Sequence, residues 1–389
     1  MKFLNIQKLS TEKLENMGFT WHTNEDKKSY VDDKLIIISE DEANNYYNAC
    51  NELYDMFINA GSYVIDNNLL DKLGIPFNLH EVVKLSWENE VHWHLYGRFD
   101  LAGGLDNLPI KLLEFNANTP TALFETAILQ FEQLRLNNLD ESNQFNHTYE
   151  AIVDNFKRLS TLDEDVSNFD EVYEGWKILF TSVKNTEEEL TTRLLMQMAK
   201  DAGYECEFAY VEDVEFSEDG VFLADENYEF CFMLIPWEII AIEESELAHL
   251  LTKIIKNQKA IILNPAYTLL FQSKAILEIL WQLYPNHKYL LKTSFLPLEN
   301  AKQVKKPFFG REGANVTILD KNGEIITKNN GDYENNGFIY QEFAELNEYN
   351  GEFYQAGVFF AYEACGLGFR KGGTIIDNYA QFVGHIIKG

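Results

Sequence analysis

Two short runs, Arg98-Phe99-Asp100 and Leu112-Leu113-Glu114-Phe115-Asn116, hold the residue types best suited to chemistry. Side chains along a strand alternate faces. Arg98 and Asp100 are therefore predicted to share one face. Glu114 and Asn116 share another, while Leu113 and Phe115 turn into a core. Set side by side, the two strands present an aspartate, a glutamate and an amide oxygen to one spot, with an arginine beside them. Hard oxygen donors of this kind suit Mg²⁺, which keeps waters and substrate phosphates as its other ligands. A half-solvated hairpin face gives the same pattern, and these residues alone do not choose between the two.

A second set of candidates is basic. Lys306 ends a predicted strand and is followed by Pro307 and the loop Gly310-Arg311-Glu312-Gly313. Glycines let backbone N–H groups close over phosphates. The loop joins strand to strand and lacks the Gly-Lys-Ser/Thr of a P-loop, so a plain hairpin turn is the alternative. Lys305, Lys306 and Arg311 are expected to cluster around it. Lys274 opens a predicted helix. Gln341 and Glu342 follow a β run whose edge could hydrogen-bond an adenine. Arg370 follows Gly366-Leu367-Gly368-Phe369 and could reach a transferring phosphoryl group. No nucleophile elbow or catalytic cysteine signature occurs. His92-Trp93-His94 reads as a structural pair rather than a metal site.

These side chains need elements to hold them. Residues 40–67 carry apolar positions at helical spacing (Tyr46, Cys50, Leu53, Phe57). Thr119-Pro120 reads as a helix start, Thr119 capping and Pro120 in the first turn, with the helix running through 122–136. Its N-terminus, close behind Glu114 and Asn116, would favour a phosphate. Residues 140–170 are polar and largely helical in pattern. From Trp176 strands alternate with helices: strands at 176–183, 206–211, 230–236 and 260–263, helices at 188–202, 244–257 and 273–284. That alternation predicts a parallel sheet. After Pro285 short strands and glycine turns take over, with Asn322-Gly323 as hairpin chemistry. The divisions expected are 1–170, with the metal-ligand strands and helices; 171–290, an α/β subdomain; and 291–389, a nucleotide-binding sheet with the glycine loop and C-terminal strands.

Composition narrows the function. The chain has 389 residues, 32 basic and 62 acidic, for a net charge of −30. Nucleic acid is excluded as a partner, because phosphate contacts need clustered Lys and Arg. A polycation is attracted instead. No run approaches the roughly 20 apolar residues of a membrane span, and Met1–Asn5 does not open a signal peptide. Four scattered cysteines read as reduced and buried. The expected location is the cytoplasm.

Read together, the runs are familiar. Lys-Leu-Leu-Glu-Phe-Asn-Ala-Asn-Thr-Pro-Thr (111–121) and Arg-Phe-Asp (98–100) closely resemble the metal-binding stretches of the glutathionylspermidine synthase family. Residues 273–287, Val-Lys-Lys-Pro-Phe-Phe-Gly-Arg-Glu-Gly-Ala-Asn-Val (304–316) and Ile-Tyr-Gln-Glu-Phe (339–343) resemble it too, in order along nearly the whole chain. The resemblance implies an ATP-grasp fold of mixed α+β and α/β construction. Its chain order is permuted, with an α/β subdomain and a C-terminal antiparallel-sheet lid region. It implies ATP and Mg²⁺ as cofactors, with the metal at Asp100, Glu114 and Asn116. It implies ATP contacts from Lys274, Lys306, Gly310, Arg311, Gly313, Gln341 and Glu342. Arg98 and Arg370 would be catalytic, and Arg98, Thr119 and Glu188 would bind substrate, Glu188 being chosen among Glu187–Glu189. The likeness is to the stand-alone synthetase-like members rather than the two-headed enzyme with its amidase domain. Asn264-Pro265-Ala266-Tyr267 departs from the usual Glu-Pro opening.

The expected activity is an ATP-dependent acid–amine ligase that joins a carboxylate, glutathione or peptide-like, to an amine such as a polyamine through an acyl phosphate. Two alternatives stay open: a nucleotide-binding protein without turnover, and a kinase of a small molecule.

Overall fold

The structure, a computed structural model, describes residues 1–23, 29–333, 337–377 and 379–388. Its largest sheet has six strands. Glu352–Ala361 lies at its middle, flanked on one side by Glu363–Gly372 and Gln381–Val383 and on the other by Gly97–Ala102 and Lys111–Asn116. Asn347–Tyr349 adds to Glu352–Ala361. The neighbouring strands for which register is defined run antiparallel.

One face of this sheet carries the helix Glu40–Asp66. Ser39 and Glu42 form a reciprocal capping box at its start, satisfying donors that the first turn leaves free. Its apolar stripe, Tyr46, Cys50, Leu53, Phe57 and Val64 among others, is buried. Phe57 meets the rings of Phe99 and Phe115 at 5.9 and 5.3 Å, and those two rings stack at 3.9 Å. This packing fixes which face of the two strands is left for Arg98, Asp100, Glu114 and Asn116.

A second antiparallel sheet of five strands follows the order Thr293–Ser294, Phe338–Glu342, Gln303–Pro307, Thr317–Leu319 and Ile325–Lys328. The strand bearing Gln341 is thus internal rather than an edge. Its neighbour Thr293–Ser294 comes from a segment whose irregular pattern gave no strand signal. Asp320 to Glu324, with Gly323 at φ +84°, makes the predicted hairpin turn.

The predicted parallel sheet is present. Ile261–Leu263, Phe230–Met233, Lys177–Ser182 and Glu205–Tyr210 pair in that order, all parallel. The helix Thr186–Ala202 crosses between the last two. Two three-stranded sheets complete the set, one from Lys2–Asn5, Lys34–Ile38 and His385–Ile387, the other from residues 215–228. The molecule is therefore a mixed α and β assembly of several sheets. No helix among the described residues is long and apolar enough to cross a membrane.

Two further sequence expectations fail here. Thr119-Pro120 does not open a helix. Ala122 adopts φ +65°, and the helical stretch starts after it, passing through a π turn at Glu125–Leu129 into Gln130–Leu136. Thr119 instead accepts a hydrogen bond from Arg311. Leu113 is not in the core either. A β-bulge between Asp100 and Leu101 pairs Leu101 with Leu112 and skips Leu113, which turns it to the cleft. One extra residue in a strand resets the alternation beyond it.

Candidate functional site

A cleft opens between the six-stranded and five-stranded sheets. Arg98, Asp100, Glu114 and Asn116 line it from the first. Lys306 and Gln341 line it from the second, while Lys274, Thr119, Arg370 and the loop at Gly310–Gly313 close its ends. Glu342 reaches its border.

Register builds the acidic corner. Asp100 stands opposite Glu114, and Arg98 opposite Asn116. The Asn116 amide nitrogen lies 3.3 Å from an oxygen of each carboxylate. Turning that amide over puts its oxygen in the same place, giving three hard donors for a divalent cation. Among the described residues no group of three or more His, Cys, Asp and Glu is arranged for a metal. Mg²⁺ needs only one or two carboxylates besides phosphates and water, so the donor set fits it. Opposite Asp100 on the neighbouring strand stands Gly357. A Cβ there would meet Arg98 Cδ at 3.1 Å, so glycine leaves room for the guanidinium.

Cations neutralise this corner. Arg98 forks Asp100, Nε to Oδ1 at 2.7 Å and Nη2 to Oδ2 at 3.0 Å, and its Nη1 donates to Thr121 O at 2.5 Å. Those bonds occupy most of its five donors. Lys274 Nζ lies 3.1 Å from Glu114 Oε2 and donates to Gly310 O at 2.7 Å. Burial alone would raise the Glu114 pKa, but Lys274 and Lys306 outweigh it and hold the carboxyl below its usual range.

Lys306 is buried and donates to Gln341 Oε1 at 2.8 Å and Leu113 O at 3.2 Å. Desolvation, with Lys274 adding to it, pulls its pKa down to about 8 against the pull of Glu114 and Asp100. Gln341 Nε2 donates to Leu112 O at 3.2 Å, across to the other sheet. Lys305 is not part of this cluster. It is one residue out of phase, and its Nζ sits 3.9 Å from the Phe338 ring centroid.

At the other end Arg311 donates to Thr119 Oγ1 at 3.1 Å and to buried Glu238 at 2.9 Å. Arg370 donates to Asp377 O at 2.7 Å. Gly313 has φ +69°, and a Cβ there would sit 2.7 Å from Ile376 O, so the loop depends on glycine at this point. The cleft volume is about 180 Å³, below the roughly 300–1,000 Å³ of small-molecule sites. Lys274 and Arg311 tie the loop at Gly310–Gly313 to Glu114 and Thr119 within it.

Like Glu187 beside it, Glu188 does not line the cleft. Burial raises its pKa, Arg311 opposes this, and its Oε2 has no hydrogen-bond partner. Its neighbour Glu187 is the more perturbed group. Burial, with Glu125 and Glu312 adding to it, raises its pKa to about 7 against the pull of Arg370. Sequence reading did not select Glu125, Glu238 or Gln272. Each lies far along the chain from its partners, and no local spacing marks it.

His92 and His94 are buried outside strands and do not line this cleft. Asn264, in the divergent stretch, is a buried tie. Its amide donates to Tyr96 O, Ala117 O and Asn118 O, and its oxygen accepts from Leu95 N. The four cysteines are free, three of them buried and Cys206 half-buried.

The model of the family described as "Glutathionylspermidine synthase preATP-grasp" matches residues 1–388. A Haemophilus influenzae protein named "Putative acid--amine ligase" is 29% identical over 392 residues, covering 96% of this chain and 95% of that protein. The Escherichia coli bifunctional glutathionylspermidine synthetase/amidase is 24% identical over 400 residues, covering 91% of this chain but only 61% of the bifunctional protein. Among solved structures, a glutathione synthetase like-effector from Globodera pallida superposes with a TM-score of 0.58 at 10% identity, covering 91% of this chain and 89% of the effector. That likeness is one of fold.

Proposed function

The chain belongs to the glutathionylspermidine synthase preATP-grasp family, and from that premise we propose that it is an ATP-dependent carboxylate–amine ligase with an ATP-grasp fold of permuted chain order. The divisions 1–170, 171–290 and 291–389 are part of this reading. The observation that carries it is convergence: the Asp100–Glu114–Asn116 corner, Lys274, Lys306, Gln341 and the 310–313 loop meet in one cleft between two antiparallel sheets.

The substrates are ATP, a carboxylic acid of glutathione-like or peptide-like type, and an amine of polyamine type. An acid oxygen attacks the γ-phosphorus, and the bond to the β-bridging oxygen breaks to release ADP and leave an acyl phosphate. The amine nitrogen then attacks the acyl carbon. The C–O bond to phosphate breaks, the nitrogen gives up a proton, and an amide remains.

The protein's part is positioning and charge stabilisation, which needs no nucleophile. Lys306 and Lys274 hold the phosphates, and Lys274 exchanges Glu114 for them. Asp100, Glu114 and Asn116 would hold Mg²⁺, which would supply neutralising charge for the phosphates. Arg370 faces the transferring group. Arg98 keeps Asp100 oriented and turns its remaining N–H to the acid. Thr119 and Arg311 flank the acid's position. Glu312 in the cleft wall and Glu187, which interacts with Glu312 and Arg370 from outside the lining, give the far side a negative character suited to a cationic amine, and Glu187 can take, through water, the proton the amine releases.

The test is Mg²⁺-dependent ADP release from purified protein against a matrix of acids with and without amines, including glutathione with spermidine. Release that requires both partners, with a mass shift for the amide, supports the reading. Release that needs only one hydroxyl-bearing substrate and yields a phosphate ester replaces it with kinase chemistry. Nucleotide binding with no release across the matrix replaces it with a binding protein.

A further inference from the structure

A second cavity of about 570 Å³ lies outside the cleft, at the Gly97 end of the six-stranded sheet on the side of the helix Glu40–Asp66. Its volume falls within the roughly 300–1,000 Å³ of small-molecule sites, and none of its lining residues belongs to the ligase cleft.

The walls are aromatic. Tyr54, Trp87, Trp93, Tyr267 and Tyr362 line it. Tyr362 occupies the turn between Glu352–Ala361 and Glu363–Gly372 at φ +67°, a backbone conformation that bulky residues rarely adopt. It stacks beside Trp93 at 6.3 Å between ring centroids. The rim is acidic: Asp55 and Glu90 are exposed, and Glu363 accepts the Tyr47 hydroxyl at 2.5 Å. Among the described residues no Lys or Arg lines the cavity.

Two histidines lie in its wall, and they differ. His94 is satisfied at both nitrogens, by the Tyr54 hydroxyl at 3.1 Å and Ala117 O at 3.0 Å. His92 is 5% exposed, and its Nδ1 is buried with no hydrogen-bond partner. Burial holds its pKa down at about 4, so the ring is a neutral imidazole with one polar atom unspent. Buried polar atoms in folded proteins nearly always have partners. An unpaired nitrogen on a residue of the cavity wall fits a site whose ligand supplies the missing bond once it is seated and the ring turns toward it.

We propose that this cavity binds an organic ammonium ion carrying an apolar body, with its hydrocarbon part against Trp87, Trp93 and Tyr362, its charge toward Asp55, Glu90 and Glu363, and an N–H donated to His92. Ring faces attract cations; the Arg158 guanidinium already lies 4.1 Å from the Tyr362 ring centroid, so the ring attraction comes mainly from Trp87 and Trp93, and the three carboxylates outnumber that one cation. The inference does not rest on the ligase reading.

Trp87 and Trp93 make the test direct. The intact protein, without nucleotide, is titrated with phenethylamine while tryptophan emission and calorimetric heat are followed. 2-Phenylethanol, the same shape without the charge, is the control. Saturable binding of the amine is expected, with the alcohol at least about tenfold weaker. The double variant D55N/E90Q alters two exposed side chains and leaves the fold and ADP release intact. Its affinity for the amine should fall by about tenfold. A separate H92L variant should weaken the amine as well. No saturable signal at millimolar amine, equal affinity for the alcohol, or unchanged affinity in D55N/E90Q would each overturn the proposal.

Discussion

Lys274 and Glu114 form an ion pair across the cleft, Nζ to Oε2 at 3.1 Å, with the lysine 4% exposed. The same ammonium donates to Gly310 O, so one side chain joins the metal-ligand strand to the glycine loop. In the proposed ligase this pair is exchanged on nucleotide binding. Glu114→Ala removes a metal donor and leaves Lys274 buried without its carboxylate. ADP release should fall on the order of 10²–10³-fold. Unchanged turnover in that variant would remove Glu114 from the metal site.

Lys306 sets an alkaline limit. Its pKa is lowered to about 8, by desolvation first. The ammonium is present below about pH 8 and lost above it. Nucleotide affinity should therefore be full below that pH and decline as pH rises through it. Lys306→Gln should bind weakly at every pH and show no such decline. Binding measured from pH 6 to 10 in both proteins separates the two behaviours, and a wild-type affinity flat to pH 10 would contradict the assignment.

Glu187 sets the opposite limit. Its pKa is raised to about 7, chiefly by burial. It is protonated below that value and negative above it, so amine docking and proton acceptance are gained as pH rises. With Lys306, this gives a rate maximum between about pH 7 and 8. Glu187→Gln should lose the acid limb of kcat/KM for the amine and raise its KM, while KM for ATP stays put. An acid limb that survives in Glu187→Gln belongs to another group.

Much of this site was legible in the sequence, and the physics says which part. The Asp100–Glu114–Asn116 corner follows from period-two alternation along two short strands, and the register pairs the two carboxylates as expected. The alternation also places Lys305 and Lys306 on opposite faces, a rule that would have kept Lys305 out of the cluster. Leu113 escaped because a bulge leaves no mark in a five-residue window. Thr119 looked like a helix cap because Thr-Pro is a good local signal. Tertiary contact with Arg311 and the left-handed Ala122 outweighed it. The parallel sheet was plain from its alternating strands and helices. Glu125, Glu187 and Glu238 acquire meaning only through arginines far away in sequence.

Arg370 tests charge stabilisation apart from binding. It lines the cleft and is anchored by one bond to Asp377 O, which leaves the rest of its guanidinium fork for the transferring group. Arg370→Ala should lower kcat on the order of 10²-fold or more, with ATP affinity changed little. Arg370→Lys keeps the charge without the fork and should recover only part. A variant that loses affinity and rate together would make Arg370 a binding residue instead.

Asn264 tests the scaffold. Its side chain makes four hydrogen bonds to backbone groups at residues 95, 96, 117 and 118, tying the start of one metal-ligand strand to the end of the other. Each buried group left unpaired costs about 1–3 kcal/mol. Carbonyls at the edge of the space that opens can recover some of that by turning to water or to each other, so Asn264→Ala should destabilise by roughly 3 kcal/mol rather than by the full sum. The spacing between Asp100 and Glu114 depends on this tie, so metal-dependent nucleotide affinity should fall as well, even at temperatures where the variant is fully folded. Denaturant unfolding and nucleotide titration at 15 °C read the two effects separately. Lost stability with intact affinity would show that the strands hold their register without Asn264, and would confine its role to the core.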